Sequence, residues 1–204
     1  MPHRKFNKLL RDFYNRPTLE ICHDILGKYI IYNSSEGKLS AKIVEVEAYI
    51  AVNDPASHAY RGKTERNKPM FGNPGFSYVY FIYGMYHCFN FVTEPEGQAA
   101  AILLRGAEPE EGINFFRSNS KVVKDYQLLN GPGKFCRSFN INLVHNNIDL
   151  TGELIYLEDR NQKVKNIIES SRIGIKSGQE KLWRFYDNDS MAVSVKKNRN
   201  KVGV

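Results

Sequence analysis

The chain has 204 residues, of which 42% are hydrophobic and 25% are charged, and its formal net charge at pH 7 is +7. This length fits one hydrophobic core rather than two domains, and the hydrophobic content is typical of a folded protein rather than a disordered one. Without an apolar run of about 18 residues, the sequence predicts no transmembrane helix, and its three widely spaced cysteines fit buried thiols better than disulfides or a metal site.

The basic residues concentrate at the two ends of the chain. Residues 1–11 and residues 196–204 each carry four lysines or arginines and no acid, which together exceed the whole net charge of +7. We therefore predict one domain over residues 1–204 with short basic tails at 1–11 and 196–204. Such tails favour solubility and weak, salt-sensitive contacts with polyanions, so net charge alone is weak support for DNA binding.

Helix and strand signals follow one another along the whole chain. A short helix is predicted from Thr18, its N-cap, to Gly27, which ends it. Strands are predicted at residues 29–32, 41–49, 76–83, 86–92, 99–105, 154–157, 172–175, 182–185 and 191–195. Prolines open two further predicted helices, at residues 109–116 and 132–139. Many short strands with few helices predict an α+β fold, a single domain with a curved, mostly antiparallel β-sheet flanked by short helices.

The predicted strand 41–49 carries the best local candidate for chemistry. Side chains alternate along a strand, so Glu45, Glu47 and Tyr49 share one face. The intervening apolar residues take the other face: Val44, Val46 and Ala48. Two carboxylates on one face of an apolar strand are costly unless water, a proton or a partner compensates them.

An aromatic hairpin is predicted over residues 76–91, where eight of the sixteen residues are aromatic. Most of these rings fit an aromatic sheet core. Tyr83 differs because it lies beside Gly84 at the turn and would project from the tip. A protruding apolar side chain is what a protein needs to unstack a base step in DNA.

Basic residues could contact the DNA backbone on both sides of this hairpin. Arg61, Lys63 and Arg66 precede it and could track phosphates, although a solvated charged loop is an equal alternative. Lys134 follows Gly131 and two further residues at a predicted helix start. This segment lacks the glycine spacing of a nucleotide-binding loop, so we expect Lys134 near a DNA phosphate.

The motifs, in this order, resemble the alkyladenine (3-methyladenine) DNA glycosylase family. The resemblance extends over about residues 18–195 and rests on Glu45-Val46-Glu47-Ala48-Tyr49, Asp54, His58, Tyr78-Val79-Tyr80, Tyr83-Gly84-Met85, Cys88-Phe89-Asn90, Leu103-Leu104-Arg105, Gly131-Pro132, Arg172-Ile173-Gly174 and Trp183-Arg184-Phe185-Tyr186. Several ordered motifs over most of a chain do not arise by chance.

The resemblance implies a monofunctional DNA repair hydrolase that acts on double-stranded DNA containing damaged purines. It would flip 3-methyladenine, 7-methylguanine, hypoxanthine or ethenoadenine out of the duplex and hydrolyse the N-glycosidic bond, leaving an abasic site. No cofactor or metal is expected. Lyase activity is not expected either, since no lysine matches the catalytic position. We expect a monomer without membrane contacts, located in the bacterial cytoplasm with the nucleoid or in a eukaryotic nucleus.

The resemblance also implies roles for individual residues. Glu47 matches the carboxylate that deprotonates the attacking water, and Arg105 matches a residue that holds this water or carboxylate and keeps Glu47 ionised. Glu45 is expected to be structural.

The remaining matched residues concern the damaged base. Tyr49, His58 and Tyr80 match the pocket that sandwiches the flipped base, where stacking on electron-rich rings favours cationic purines. Asn90 matches a selectivity residue placed against the 2-amino group of guanine. Tyr83 matches the residue that fills the gap left in the duplex.

Two other classes of protein stay open from the residues alone. A metal-dependent nuclease could place Glu45, Glu47 and Asp54 around Mg²⁺, because hard cations bind clustered oxygens. A non-catalytic damaged-DNA-binding protein could use the aromatic hairpin and basic loop to stack bases without cutting a bond. Activity that survives a chelator would argue against the nuclease, and activity lost in Glu47→Gln would argue against the binder.

Overall fold

The computed structural model describes residues 6–196, which form one nine-stranded sheet flanked by short helices. The strands are β1 (Asn7–Lys8), β2 (Tyr29–Ser34), β3 (Gly37–Ile50), β4 (Ser77–Ile82), β5 (Tyr86–Val92), β6 (Ala100–Glu111), β7 (Ile155–Asp159), β8 (Ile167–Ser170) and β9 (Arg184–Asp187). The α-helices are α1 (Arg11–Tyr14), α2 (Thr18–Ile25), α3 (Ile113–Ser118) and α4 (Pro132–Ser138). The predicted α+β single domain with a mostly antiparallel sheet is confirmed.

Strand β3 organises the sheet. The strand order is β1-β7-β2-β3-β6-β5-β4, with β9 also paired to β3 and β8 paired to β9. One edge of β3 pairs first with β2 and then, over Glu45–Glu47, with β9, while its other edge pairs with β6. A strand of 14 residues is long enough to serve both neighbours in turn. The chemistry-bearing segment therefore has a partner strand on each side.

The central strands β3, β5 and β6 present one apolar face to the helices, which we call the helix face. It comprises Val46 and Ala48 of β3, Phe89 and Phe91 of β5, and Ile102 and Leu104 of β6. These side chains form the main core with buried residues of α2, α3 and α4 and with the residue that follows α4: Ile21, Cys22, Ile25, Phe116, Phe135, Cys136 and Phe139. Residues that alternate with them point to the opposite side, which we call the pocket face.

The register of β3 differs from the predicted alternation at one position. Glu45, Glu47 and Tyr49 do share a side, and Val46 and Ala48 do belong to the core. Val44 instead packs with Tyr186, Ala192 and Val193 in a separate cluster. The β3–β6 ladder passes from Ile43 paired with Ala107 to Glu45 paired with Gly106 and so skips Val44. This β-bulge adds one residue and breaks the two-residue period.

Two helix predictions need correction. Thr18 is the first residue of α2 and makes no cap, because its hydroxyl instead donates to the carboxylate of Glu94 at 2.8 Å. Gly27 does follow the end of the helix, in a left-handed conformation with φ of +82°. Pro109 opens no helix. It lies in β6, where it pairs with Ala41 at a register irregularity that tolerates its missing amide hydrogen. The helix predicted at 132–139 is confirmed as α4.

Three late strand predictions need correction as well. Residues 172–175 form a loop, and the strand in this region is β8, which precedes them. Residues 191–195 form no strand, because the amides of Ala192 and Ser194 donate to Ser190 and Glu45 side chains rather than to a ladder. The predicted strand 182–185 is displaced by two residues to β9.

The terminal cations that the structure describes are bound to the domain. Lys8 contacts the carboxylate of Glu153 at 2.6 Å, and Arg11 contacts that of Asp149 at 2.6 Å. The predicted tails otherwise fall on residues 1–5 and 197–204, which lie outside the described residues.

Within residues 6–196, no helix has the length and apolar character needed to cross a membrane. Cys22, Cys88 and Cys136 are free and buried, as predicted.

Candidate active site

A cavity of about 660 Å³ opens on the pocket face of the sheet. Its walls come from the end of β3, from β4, β5 and β6, from the start of α4, and from residues 173–177. The lining includes seven of the predicted site residues: Tyr49, His58, Tyr80, Tyr83, Asn90, Arg105 and Lys134. The fold therefore gathers at one cavity residues that are up to 85 positions apart in the sequence.

Glu47 is fully buried beside this cavity, and both of its carboxylate oxygens are held. Oε2 accepts hydrogen bonds from the Tyr49 hydroxyl at 2.8 Å and from Nη1 of Arg105 at 3.3 Å. Oε1 accepts one from the Ile173 amide at 2.7 Å. Burial raises the pKa of Glu47 above its ordinary value, although Arg105, Ile173 and Tyr49 each favour the ionised form. A carboxylate whose ionised form is held by three donors, in a setting that raises its proton affinity, can accept a proton from a bound water.

A second bulge directs Arg105 toward the two glutamates. The β3–β6 ladder pairs Glu45 with Gly106 and Val46 with Leu104, so the register skips Arg105. Bulges next to active sites commonly re-aim a side chain in this way. The guanidinium lies 3.4 Å from Glu45 and 3.3 Å from Glu47.

Glu45 is held by groups outside the cavity wall. Oε1 accepts hydrogen bonds from Nε of Arg184 at 2.7 Å and from the Ser194 hydroxyl at 2.8 Å, and Oε2 accepts one from the Ser194 amide at 2.6 Å. With Arg105 nearby, this buried carboxylate is satisfied. The arrangement supports the structural role predicted for Glu45.

One side of the cavity is aromatic. The rings of His58 and Tyr80 meet edge to face with centroids 4.7 Å apart, and Tyr78 lies 5.2 Å from Tyr80. Nδ1 of His58 is 2.9 Å from the Tyr78 hydroxyl. Burial and the nearby Arg66 lower the pKa of His58, so the imidazole is neutral at pH 7. Burial raises the pKa of Tyr78 to about 12.

Tyr78 was not among the predicted pocket residues. It precedes Tyr80 by two residues on β4, so both side chains lie on the pocket face. The strand period could therefore have found it. Asn90, paired with Tyr78 across the β4–β5 ladder, is buried, and its Nδ2 donates to the Tyr78 carbonyl at 2.9 Å. This bond fixes the Asn90 amide at the cavity wall.

Tyr83 lies at the tip of the β4–β5 hairpin and is 75% exposed. Its φ is +55° and that of Gly84 is +67°, and the Met85 amide donates to the Ile82 carbonyl at 3.3 Å. A left-handed conformation is uncommon for a bulky residue and tends to occur at functional positions. The structure thus presents the ring to solvent at the mouth of the cavity.

The predicted backbone-contacting cations fall into two groups. Arg66 lies over the Tyr80 ring at 5.2 Å, and Lys134 lines the cavity with its Nζ donating to Asn130 at 2.7 Å. Arg61 and Lys63 are exposed on the loop before β4. The structure brings the first pair to the cavity and leaves the second pair on the surface.

The carboxylates suggested for Mg²⁺ do not form a shared ligand set. Asp54 is bound by both terminal nitrogens of Arg172, at 2.6 and 2.7 Å. Glu45 and Glu47 are bound by arginines as described above. Within residues 6–196, no group of three or more His, Cys, Asp or Glu is arranged to hold a metal ion. The geometry therefore does not support the nuclease alternative.

Comparison with known proteins adds an independent finding. A profile of the family described as methylpurine-DNA glycosylase matches residues 12–191. A protein of Chlorobium phaeobacteroides is 46% identical over 192 residues, covering 93% of this chain and 96% of its own length. A protein of Alkaliphilus oremlandii is 46% identical over 201 residues, covering 93% of this chain and 100% of its own. Both carry the name "Putative 3-methyladenine DNA glycosylase". The resemblance seen in the motifs is confirmed.

Proposed function

The chain belongs to the methylpurine-DNA glycosylase family, and from this premise we propose that it excises damaged purines from duplex DNA by hydrolysis of the N-glycosidic bond. The observation that carries the proposal is the setting of Glu47, a fully buried carboxylate held by three donors beside an aromatic cavity. The substrates we propose are 3-methyladenine, 7-methylguanine, hypoxanthine and ethenoadenine.

The cavity has the size and lining for a flipped purine. Its volume of about 660 Å³ lies in the range of small-molecule sites. Tyr49, His58 and Tyr80 supply rings on which a base can stack, and stacking favours cationic methylpurines by about 0.5–2 kcal/mol per contact. Because a neutral His58 carries no competing charge, a cationic base meets no repulsion from it.

Tyr83 supports the flipping step. An exposed ring at the hairpin tip can enter the stack where the damaged nucleotide leaves, which offsets part of the few kcal/mol that extrusion costs. We propose that Arg66 and Lys134 contact the phosphates of the flipped nucleotide, and that Arg61 and Lys63 contact those further along the strand.

Glu47 then acts as the general base. It takes a proton from a water whose oxygen forms a bond to the sugar C1′, while the bond from C1′ to the purine nitrogen breaks and its electron pair leaves with the base. The ionised carboxylate also stabilises positive charge that develops on the sugar. Arg105 orients the carboxylate through its 3.3 Å contact.

We assign selectivity against normal guanine to Asn90. Its amide is fixed at the cavity wall by the Tyr78 carbonyl, so it cannot turn away from an exocyclic 2-amino group.

Water is the nucleophile, so no covalent enzyme–DNA intermediate forms and the enzyme is monofunctional. Borohydride reduction should therefore trap no adduct.

The test is single-turnover base release from duplexes that contain 7-methylguanine, hypoxanthine or ethenoadenine, in the presence of EDTA. Wild type should release at least one of these bases, and Glu47→Gln should slow release by about 10²–10⁴-fold. Glu111→Gln, at the exposed end of β6, is the matched control and should behave as wild type. Tight lesion binding without release by wild type would instead indicate the non-catalytic binder.

A further inference from the structure

We propose that the buried ion pair of Asp54 and Arg172 is a positioning element, which fixes one wall of the base pocket and orients Glu47. This inference rests on the proposed function, because it names residues that act through Glu47 without touching DNA. We call residues 173–177, which line the cavity, the strap.

The ion pair joins three segments of the pocket. Both side chains are fully buried, with Nη1 and Nη2 of Arg172 at 2.7 and 2.6 Å from the two oxygens of Asp54. Nη1 also donates to the Ala48 carbonyl on β3 at 2.8 Å. Asp54 in turn accepts from the amides of Ile50 and Ala56, at 3.3 and 3.2 Å. The end of β3, the loop that leads to the pocket histidine and the start of the strap therefore meet at one point.

The far end of the strap is fastened at the same point. The Gly178 carbonyl accepts a bond from Nη2 of Arg172 at 3.5 Å. Gly178 has φ of +67°, and a Cβ added there would lie 3.0 Å from that Nη2 and 3.3 Å from Oδ1 of Asp54. A side chain at this position would be strained and would press on the ion pair. Both ends of the strap thus depend on one buried contact.

The strap reaches the reacting site through its first residue. Ile173 follows Arg172 directly and donates its amide to Oε1 of Glu47 at 2.7 Å. The Arg172 guanidinium also lies 4.7 Å from the centroid of the Tyr49 ring, whose hydroxyl donates to Oε2 of Glu47. One arginine therefore supports two of the three donors that hold the carboxylate. A displacement of about 1 Å at such a site can slow a reaction by about 10²-fold.

The pH dependence of base release separates a positioning role from a merely structural one. The Ile173 amide favours the ionised form of Glu47, so a looser strap should move the acid limb of the rate profile to higher pH. The other titratable groups near Glu47 are unchanged in the variants below: Glu45, Tyr49, Arg105, Cys22 and Cys88. Loss of folded protein alone would lower the rate without moving the limb.

The experiment compares Gly178→Ala and Arg172→Lys with wild type in single-turnover release of 7-methylguanine across pH, at a temperature where each variant is folded. Both variants should release the base about 10–100-fold more slowly, with the acid limb at higher pH and duplex binding retained. Arg160→Lys is the matched control. It alters another arginine whose side chain is largely buried. This arginine pairs with Glu158 of β7, which lies on the far side of β2 from the site, so the variant should match wild type.

If Arg172→Lys does not fold, Gly178→Ala alone tests the positioning role, because it leaves both members of the ion pair in place. A wild-type rate in Gly178→Ala, or a slower rate with an unmoved acid limb, would overturn the inference. Absence of base release by wild type would instead overturn the proposed function.

Discussion

The two faces of the central strands carry opposite chemistry although their residues alternate one by one. On β5, Phe89 and Phe91 are buried in the main core, while Asn90 between them is fixed at the cavity wall. On β6, Leu104 belongs to the core and Arg105 beside it contacts both glutamates. We therefore expect stability and activity to depend on neighbouring residues rather than on separate segments, so substitutions at adjacent positions should separate the two properties.

The largest expected effect is on the helix face. Phe89→Ala removes a fully buried ring that packs against Phe91 at 5.3 Å and Phe135 at 6.2 Å between centroids. It should lower the free energy of unfolding by about 3–5 kcal/mol. Asn90→Ala, one residue along, should cost only about 1 kcal/mol for its lost hydrogen bond. Urea unfolding of both variants measures this difference, and equal losses would contradict the separation of the faces.

The next largest effect concerns Glu47 on the pocket face and the pH dependence of base release. Burial raises the pKa of Glu47, so the ionised base is lost as pH falls through a value above that of an ordinary glutamate. Below this pKa, release of 7-methylguanine should slow by about tenfold per pH unit. 7-Methylguanine is the substrate of choice because this cationic base avoids the protonation step that neutral bases need. Arg105→Gln removes a charge that favours ionisation and should move the limb to higher pH. A limb at the ordinary glutamate value would contradict this assignment.

The raised pKa of Glu47 also predicts how the free energy of unfolding depends on pH. The rate of base release should rise with pH, whereas this contribution to stability should fall. Between the ordinary and the raised pKa of Glu47, the folded protein binds more protons than the unfolded chain, so the free energy of unfolding falls as pH rises through that window. Glu47→Gln removes this contribution. Its unfolding free energy should decline less over the window than that of wild type, as measured by urea unfolding at several pH values.

Much of the fold follows from local patterns, and the exceptions have physical causes. The strand period placed Glu47 and Tyr49 on the same face as Glu45, and the turn glycine identified the exposed position of Tyr83. Local pattern could not reveal the bulge at Val44, since the extra residue is defined only by the partner strand β6.

The wrong strand predictions share a second cause. The segments at 172–175 and 191–195 have strand-like composition, but their amides are used by buried carboxylates from β3. Ile173 donates to Glu47 and Ser194 donates to Glu45. Such long-range contacts are absent from a local window. The residues of the cavity site were predicted from the resemblance, whereas the role proposed for Arg172 depends on tertiary contacts that the sequence does not show.

A smaller effect is expected at the hairpin tip, which belongs to neither face. Tyr83→Ala should change the free energy of unfolding by less than about 0.5 kcal/mol, because the ring is exposed. It should weaken binding to a lesion duplex by about 1–3 kcal/mol, the value of one stacked ring. Single strands with the same lesion have no gap for the ring to fill, so Tyr83→Ala and wild type should bind them with equal affinity. Equal losses for both DNA forms would show that Tyr83 acts as a general contact.

The smallest expected effect sharpens the comparison within the pocket face itself. Asn90→Ser shortens a side chain whose Nδ2 is tied to the Tyr78 carbonyl, and so opens space beside the purine edge. Release of normal guanine from an undamaged duplex should rise about tenfold, in line with the 1–3 kcal/mol that one small group in a pocket contributes. Release of hypoxanthine, which lacks the 2-amino group, should change far less and serves as the internal control. A parallel rise for both bases would mean that the substitution loosens the pocket as a whole, whereas a rise for guanine alone would show that Asn90 discriminates by position.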